Sequence, residues 1–306
     1  MHPVAIQIGT FSIHWYGVMM ALGFLLCVAN AMWVGKRTGK SADFISDLLC
    51  WAMIAGVVGA RAWYVFANWD EFARDPVSAF YVHRGGLVYY GGFIGAILTI
   101  AIYARVRKES VFALFDIVAT GLPLAHALGR VGCFLNGCCY GKSYAGPLGV
   151  QFPLMSSAGW DQYGAGLLRN EKVIALMSQV RQSTLAEGDF EQKLAALVRD
   201  GLVLQSEARG LPVHPVQLYE AALDLLSYTL LVWLTRRRAM RGAVSCACVM
   251  AYSSVRFITE FFRGDESIAA VRLTLAQVVS ICMFMTGLGT LAWLRINDRK
   301  KHGSAC

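Results

Sequence analysis

Seven stretches of this chain run for about 20 residues almost without charge, the length a helix needs to cross the hydrocarbon core of a bilayer. They cover residues 11–34, 44–68, 86–104, 111–134, 216–234, 243–262 and 273–294. Trp15, Trp33, Trp69, Trp233 and Trp293 stand near their ends, where interfacial aromatics gather. A different pattern holds over residues 142–213. That segment opens with Gly, Pro and aromatic residues, then becomes amphipathic and charged from Leu167 to Arg209. Ile174, Leu176, Met177, Leu194, Leu197 and Val198 give it apolar material to bury, which predicts two or three packed helices rather than a floppy linker. The pattern thus predicts an all-α integral membrane protein of seven transmembrane helices with a small helical insertion. Residues 1–141 hold helices one to four, 142–213 the insertion, and 214–306 helices five to seven, in one membrane-embedded unit overall.

The charges between the stretches predict an orientation. Lys36, Arg37 and Lys40 follow the first stretch, and Arg105, Arg107 and Lys108 the third. Arg236, Arg237, Arg238 and Arg241 follow the fifth, and Arg295, Arg299, Lys300 and Lys301 the seventh. By the positive-inside rule these short connections are cytoplasmic. The N-terminus is then outside, the C-terminus cytoplasmic and the insertion extracytoplasmic. Only 16% of the residues are charged, against about 25% in soluble domains, which fits a membrane protein. The formal net charge of +8, from 28 Lys and Arg against 20 Asp and Glu, is on this reading a topology signal with some attraction for anionic lipid heads. No zinc-finger spacing, basic region or aromatic-basic sheet motif occurs, so no nucleic-acid partner is expected. Residues 1–10 lack the basic start of a cleavable signal peptide.

Placed on this topology, the polar residues inside the stretches gather in the outer half. Tyr16, Arg61, Tyr64, Tyr89, Tyr90 and Arg130 fall near outer ends, Gln217, Glu220 and Asp224 share a face, and Tyr252, Arg256, Glu260 and Arg263 form a stripe. Such a set predicts a cavity open to the outer leaflet or the outer surface. Arg130 is central to it. His126, Arg130 and Cys133 recur at i, i+4 and i+7 on one helical face. A charge this deep costs about 2.5–3.5 kcal/mol or more on insertion scales and by default marks function. Three arginines suit a phosphate, which guanidinium meets as a planar bidentate fork. A phosphate reached from the membrane is most simply a phospholipid head. The blander alternatives stay open: a buried Arg130 satisfied by carbonyls and a carboxylate, and a purely structural i, i+4 pair of Arg256 with Glu260.

Of nine cysteines, Cys27, Cys50, Cys246, Cys248 and Cys282 sit in apolar stretches as small hydrophobes, and Cys306 ends the chain. Cys133, Cys138 and Cys139 cluster in sequence near the outer face, where disulfides are permitted. Their C-x4-C-C pattern is not a zinc spacing. The expectation is therefore no metal and no cofactor, with the three packing a turn.

Five motifs, in order over nearly the whole chain, carry a family resemblance. They are HWYG at 14–17, GGLVYYGG at 85–92, GRVGCFLNGCCYG at 129–141, HPVQLYE at 214–220 and VRFITEFFRGD at 255–265. Together they resemble the bacterial prolipoprotein diacylglyceryl transferases. The resemblance implies a multi-pass enzyme of the bacterial cytoplasmic (inner) membrane that carries out the first step of lipoprotein maturation. Such an enzyme moves a diacylglyceryl group from phosphatidylglycerol to the lipobox cysteine of a preprolipoprotein, forming a thioether and releasing glycerol phosphate.

Within it, Arg130 matches the essential Arg of the signature GRxGNFxNxExxG, and Gly129, Asn136 and Gly141 match other fixed positions. Arg256 matches a second essential Arg, Glu260 its neighbour, and Tyr16 the first-helix Tyr. The expected catalytic set is Arg130, Arg256 and Tyr90. Asn136, Gly141, Tyr16, Glu260 and Arg263 join the two arginines around the phospholipid, and Arg61, His214, Gln217 and Glu220 line the rest of the pocket. The chain departs from the family at three places: Tyr90 stands for the His of SFHGG, Cys133 for Asn and Cys138 for Glu. That His has been regarded as the base for the thiol, and a phenol with its ordinary pKa near 10 is a poor base at neutral pH. Two alternatives follow: a changed lipid donor or acceptor, or a phospholipid-binding or transport protein without the chemistry.

Overall fold

The computed structural model describes residues 4–8, 11–81, 85–237, 239–263, 267–268 and 273–303. Arg238, Cys306, and Gly264 and Asp265 of the last motif lie outside the described residues. The chain is mostly helical. A short hairpin of β1 (Val4–Ile8) and β2 (Phe11–His14) precedes α1 (Trp15–Arg37), so the first apolar stretch begins as strand and turns helical only at Trp15. Next come α2 (Ala42–Ala67), the single turn α3 (Trp69–Phe72), a 3-10 turn over Pro76–Phe80, and α4 (Tyr89–Val106). The fourth stretch is two helices, α5 (Val111–Ala119) and α6 (Leu122–Asn136). Pro123 explains the break: without an N–H, proline sits readily in the first turn of a helix but not in its middle. The insertion holds α7 (Ser157–Gly164), α8 (Glu171–Arg181) and α9 (Glu187–Arg199). Then follow α10 (Val216–Arg236), α11 (Ala243–Glu260), the two-residue strands β3 (Ser267–Ile268) and β4 (Leu273–Thr274), and α12 (Leu275–Gly303).

Among the described residues, five helical stretches are long and apolar enough to cross a membrane: Trp15–Arg37, Ala42–Ala67, Val111–Asn136, Val216–Arg236 and Leu275–Lys300. Helices α4 and α11 have 18 residues each, or about 27 Å at the helical rise, slightly short of the hydrocarbon thickness. Large apolar side chains point outward, among them Leu25 and Val58, each 62% exposed, as a lipid-facing surface requires.

The chain divides into two compact units. One comprises residues 25–122, 228–249 and 287–306. Its core joins Ala31, Val34, Ile45, Leu48, Ile100, Ala104, Leu114 and Ile117. Ser41 and Ser110 cap α2 and α5 with their hydroxyls. Helices α2 and α4 touch backbone to backbone: a Cβ on Gly59 would collide with the Gly91 carbonyl, and one on Gly95 with that of Ala55. The Gly91/Gly95 spacing is thus used for close packing.

The second unit comprises residues 1–24, 123–227 and 250–286. Its insertion has a core of its own, in which Leu154, Val173, Leu176, Met177, Phe190, Leu194 and Val203 pack together. Asn170 starts α8 by accepting from the Lys172 N–H at 3.0 Å, while its amide donates to Glu207 at 2.8 Å. Hydrogen bonds between Glu207 and both Asn170 and the Leu204 N–H hold that carboxyl below the usual glutamate range. The two ends of the insertion lie side by side. His214 N–H donates to the Lys142 carbonyl at 3.0 Å, Gly141 N–H to that of His214 at 2.9 Å, and Ser143 pairs with Val213.

Candidate active site

The second unit assembles a buried cluster of charges from α6, α10 and α11. Helix α6 brings Arg130, α10 brings Glu220, and α11 brings Arg256 and Glu260, followed directly by Arg263. Arg130 Nε forms an ion pair with Glu220 Oε2. Glu220 Oε1 lies 3.7 Å from Arg256 Nη1 and accepts a hydrogen bond from Thr259 Oγ1 at 3.1 Å. Arg256 Nη2 stands 2.9 Å from Glu260 Oε2, and Arg263 Nε is 3.8 Å from the same oxygen. The carboxylates are 2% exposed at Glu220 and 3% at Glu260. Buried charges must be paired or shift to neutral forms. Among the described residues the guanidinium groups of Arg130, Arg256 and Arg263 thus gather around the carboxylates of Glu220 and Glu260, and guanidinium is the group that meets a phosphate as a bidentate fork.

A second pair lies along the same helices. His126 Nδ1 is 2.6 Å from Asp224 Oδ2, and the imidazole meets the Tyr252 ring edge-on with centroids 5.6 Å apart. Asp224 is one turn beyond Glu220 on the buried face of α10. Both carboxylates of that face therefore meet side chains of α6, Arg130 and His126.

Around the cluster, Gly141 abuts His214 and Phe262 so tightly that a Cβ would strike the Phe262 carbonyl. His214 stacks on Tyr144, with ring centroids 4.0 Å apart, and its Nδ1 lies 3.2 Å from the Tyr219 hydroxyl. Gln217 Nε2 donates to the Cys138 carbonyl at 2.7 Å, tying α10 to the turn after α6. Tyr16, at the start of α1, packs against Gly132 and lies within electrostatic reach of Arg130 and of Cys133, Cys138 and Cys139. Asn136 is the last residue of α6, and its side chain reaches Cys138.

The turn after α6 has a defined geometry. Gly137 adopts φ +72°, its N–H donates to Phe134 O at 3.2 Å, and Cys138 N–H donates to Cys133 O at 3.1 Å. This pair of bonds is the Schellman C-cap, which typically sets the side chain two residues beyond the cap against the one in the last turn. Here those side chains are Cys138 and Cys133. Cys139 then takes φ +60°, and the three sulfurs lie within 4.8 Å of one another. Hydrogen bonds with the Cys133 and Cys138 thiols, then the positive charges of Arg130 and Arg263, hold the Cys139 thiol far below its ordinary range, against the effect of burial.

The structure thus brings together Arg130, Arg256, Glu260, Arg263, Glu220, Gln217, His214, Gly141, Asn136 and Tyr16. Two expected residues belong to the other unit. Tyr90 is in the first turn of α4 and is 69% exposed. Arg61 holds the chain after α2: its guanidinium donates to the carbonyls of Ser78, Ala79, Gly85 and Gly86 at 2.7–3.1 Å. The sequence pattern set Glu220 among the pocket lining, whereas the structure puts it between the two central arginines. Its signal was the shared face with Gln217 and Asp224. Thr259, which supports Glu220, carried no signal of its own.

Residues 3–293 match the family described as prolipoprotein diacylglyceryl transferase. Relatives named phosphatidylglycerol–prolipoprotein diacylglyceryl transferase include one from Xylella fastidiosa, 33% identical over 95% of this chain and 92% of its own. Others are from Symbiobacterium thermophilum, 29% identical over 99% of this chain and 96% of its own, and from Bacillus licheniformis, 28% identical over 98% and 95%.

Proposed function

Since the chain belongs to the prolipoprotein diacylglyceryl transferase family, we propose that it transfers a diacylglyceryl group from phosphatidylglycerol to the lipobox cysteine of a preprolipoprotein. The observation that carries this reading is the Arg130–Glu220–Arg256 arrangement, closed by Glu260 and Arg263. In the reaction a thiolate attacks the glycerol carbon bearing phosphate. The carbon–sulfur bond forms, the carbon–oxygen bond breaks, and its electron pair leaves on the phosphate. Charge therefore grows on phosphate oxygens, where fixed guanidinium groups act most strongly in a water-poor site. Arg130 and Arg256 are assigned to that leaving phosphate. Glu220 and Glu260 hold them in place, and Arg263, Tyr16, Asn136 and Gly141 surround the head group.

The same reading has seven helical crossings, with α4 and α11 as the two short ones. The N-terminus and the insertion are outside and the C-terminus is in the cytoplasm, with the inner membrane as location. The Lys and Arg bias of alternate connections supports this orientation. A changed donor or acceptor is the second reading, favoured by Tyr90, Cys133 and Cys138 at positions where the family has His, Asn and Glu.

The test is transfer of labelled diacylglycerol from phosphatidylglycerol to a lipobox peptide by the purified protein, together with rescue of cells depleted of their own transferase. Thioether formation and rescue are expected. Lipid binding without transfer to any thiol acceptor would replace the enzyme by a phospholipid-binding protein.

A further inference from the structure

We propose that Cys133, Cys138 and Cys139 form a three-thiolate site for a thiophilic divalent cation of the zinc class, with the fourth position open to the thiol of the incoming acceptor. Linear spacing argues against such a site, because zinc knuckles place paired ligands two to four residues apart. The helix end changes that argument. A Schellman cap brings residue i+5 back onto residue i, and Cys138 sits at i+5 from Cys133, with its thiol 3.7 Å from the Cys133 carbonyl. The left-handed backbone at Cys139, φ +60°, turns the third side chain toward the other two.

The geometry is close to what a metal needs. Three thiolates at about 2.3 Å from a tetrahedral ion lie about 3.8 Å apart. The sulfurs here are mutually within 4.8 Å, so side-chain rotations of about 1 Å close the site. Among the described residues this is the only group of three or more metal-ligating side chains so disposed. Three thiolates and a dication carry a net charge of −1, a modest charge for a site at a helix end. Four closed ligands mark a structural zinc, while three with an open position mark a reactive one. Cys139 is exposed and Cys133 and Cys138 are partly so, so a ligand can reach the group from the surface.

This site supplies chemistry the transfer requires. A thiol that binds the cation releases its proton to water and becomes a nucleophile at neutral pH. Its sulfur pair then forms the bond to the glycerol carbon as the phosphate departs. The acceptor step rests on the transferase reading, whereas the metal site does not.

The test uses the full-length reduced protein in detergent, titrated with Co2+ alone. A thiolate-to-cobalt charge-transfer band saturating at one equivalent and bleached by Zn2+ is expected. Cys138→Ser should weaken cobalt binding on the order of 100-fold or more, beyond the usual loss from outer partners of a metal site. Cys50→Ser, in the other unit, should leave it intact. Adding a lipobox peptide should shift the cobalt spectrum, and the same peptide with Ser for Cys should not. Absence of the band in reduced protein overturns the site, as does a disulfide within the trio that persists in place of metal. Should Cys138→Ser fail to fold, Zn2+ competition on the unmodified chain and Cys139→Ser in the exposed turn decide the matter. A cobalt spectrum blind to the peptide overturns the acceptor role alone. A metal-loaded protein whose spectrum responds to the peptide, but which transfers no lipid, keeps the site and rejects the transferase reading.

Discussion

Glu220 presents one carboxylate oxygen to each of two arginines, Oε2 to Arg130 and Oε1 to Arg256. The residues come from three helices, so one side chain fixes the separation of the two guanidinium groups. Replacing Glu220 by Gln keeps the shape and removes the charge. Two buried cations then face each other without their shared partner, a loss of about 3–5 kcal/mol for a broken buried pair. The expected result is a lower thermal midpoint in detergent and transfer reduced by about 10²-fold or more. Unchanged stability and activity would show that the arginines hold their places without it.

Arg130→Lys separates holding the lipid from cleaving it. Lysine keeps the charge and loses the planar fork. Binding of phosphatidylglycerol should weaken several-fold, whereas transfer should fall by about 10²–10³, the usual effect of losing one donor to a developing charge. Equal losses in both measurements would reduce Arg130 to a lipid contact.

Tyr90→His restores the residue that the family resemblance expects in SFHGG. Tyr90 is exposed at the start of α4, so the change should not disturb packing. Transfer rates measured on the two proteins side by side should be equal, or higher for the variant. A marked fall would give Tyr90 a role of its own.

Topology is testable without activity. A reporter that works only in the cytoplasm should be active when fused after Cys306 and silent when inserted near Gly188, in the exposed first turn of α9. The reverse pattern would invert the membrane and place the charge cluster in the inner half.

The insertion has a pH signature. Glu207 has its carboxyl depressed by Asn170 and the Leu204 N–H. A depressed folded pKa contributes stability that is complete above the unfolded value of about 4.3 and disappears as pH falls through the lower folded value. Amide protection at Lys172 and Leu204, compared between the protein and Glu207→Gln, should differ at neutral pH and converge in acid. A difference that persists below pH 3 would assign the effect to shape rather than charge.

What could be read from the chain alone was what depends on neighbours in sequence. Apolar length located the helices, and the i, i+4 spacing of Arg256 and Glu260 announced their pair. The break at Pro123 inside the fourth stretch was not read, because one proline in a long apolar run does not say whether the helix bends or stops. The bridging role of Glu220 was hidden because its partners come from two other helices. The cysteine trio was visible as a cluster, but its spacing did not show that a helix cap at Gly137 draws the three sulfurs together.

The side-by-side ends of the insertion have a wider consequence. Lys142 and His214 are already hydrogen-bond neighbours, so everything between them is an excursion that returns to its starting point. A short turn joining those two residues would leave the flanking helices where they are. The first part of the insertion is nonetheless tied to the frame, because Phe152 meets the Phe134 ring edge-on and the Tyr140 hydroxyl donates to Asp161. The helices α8 and α9, which close a core of their own, are the part whose length and surface can change without a compensating change among the arginines.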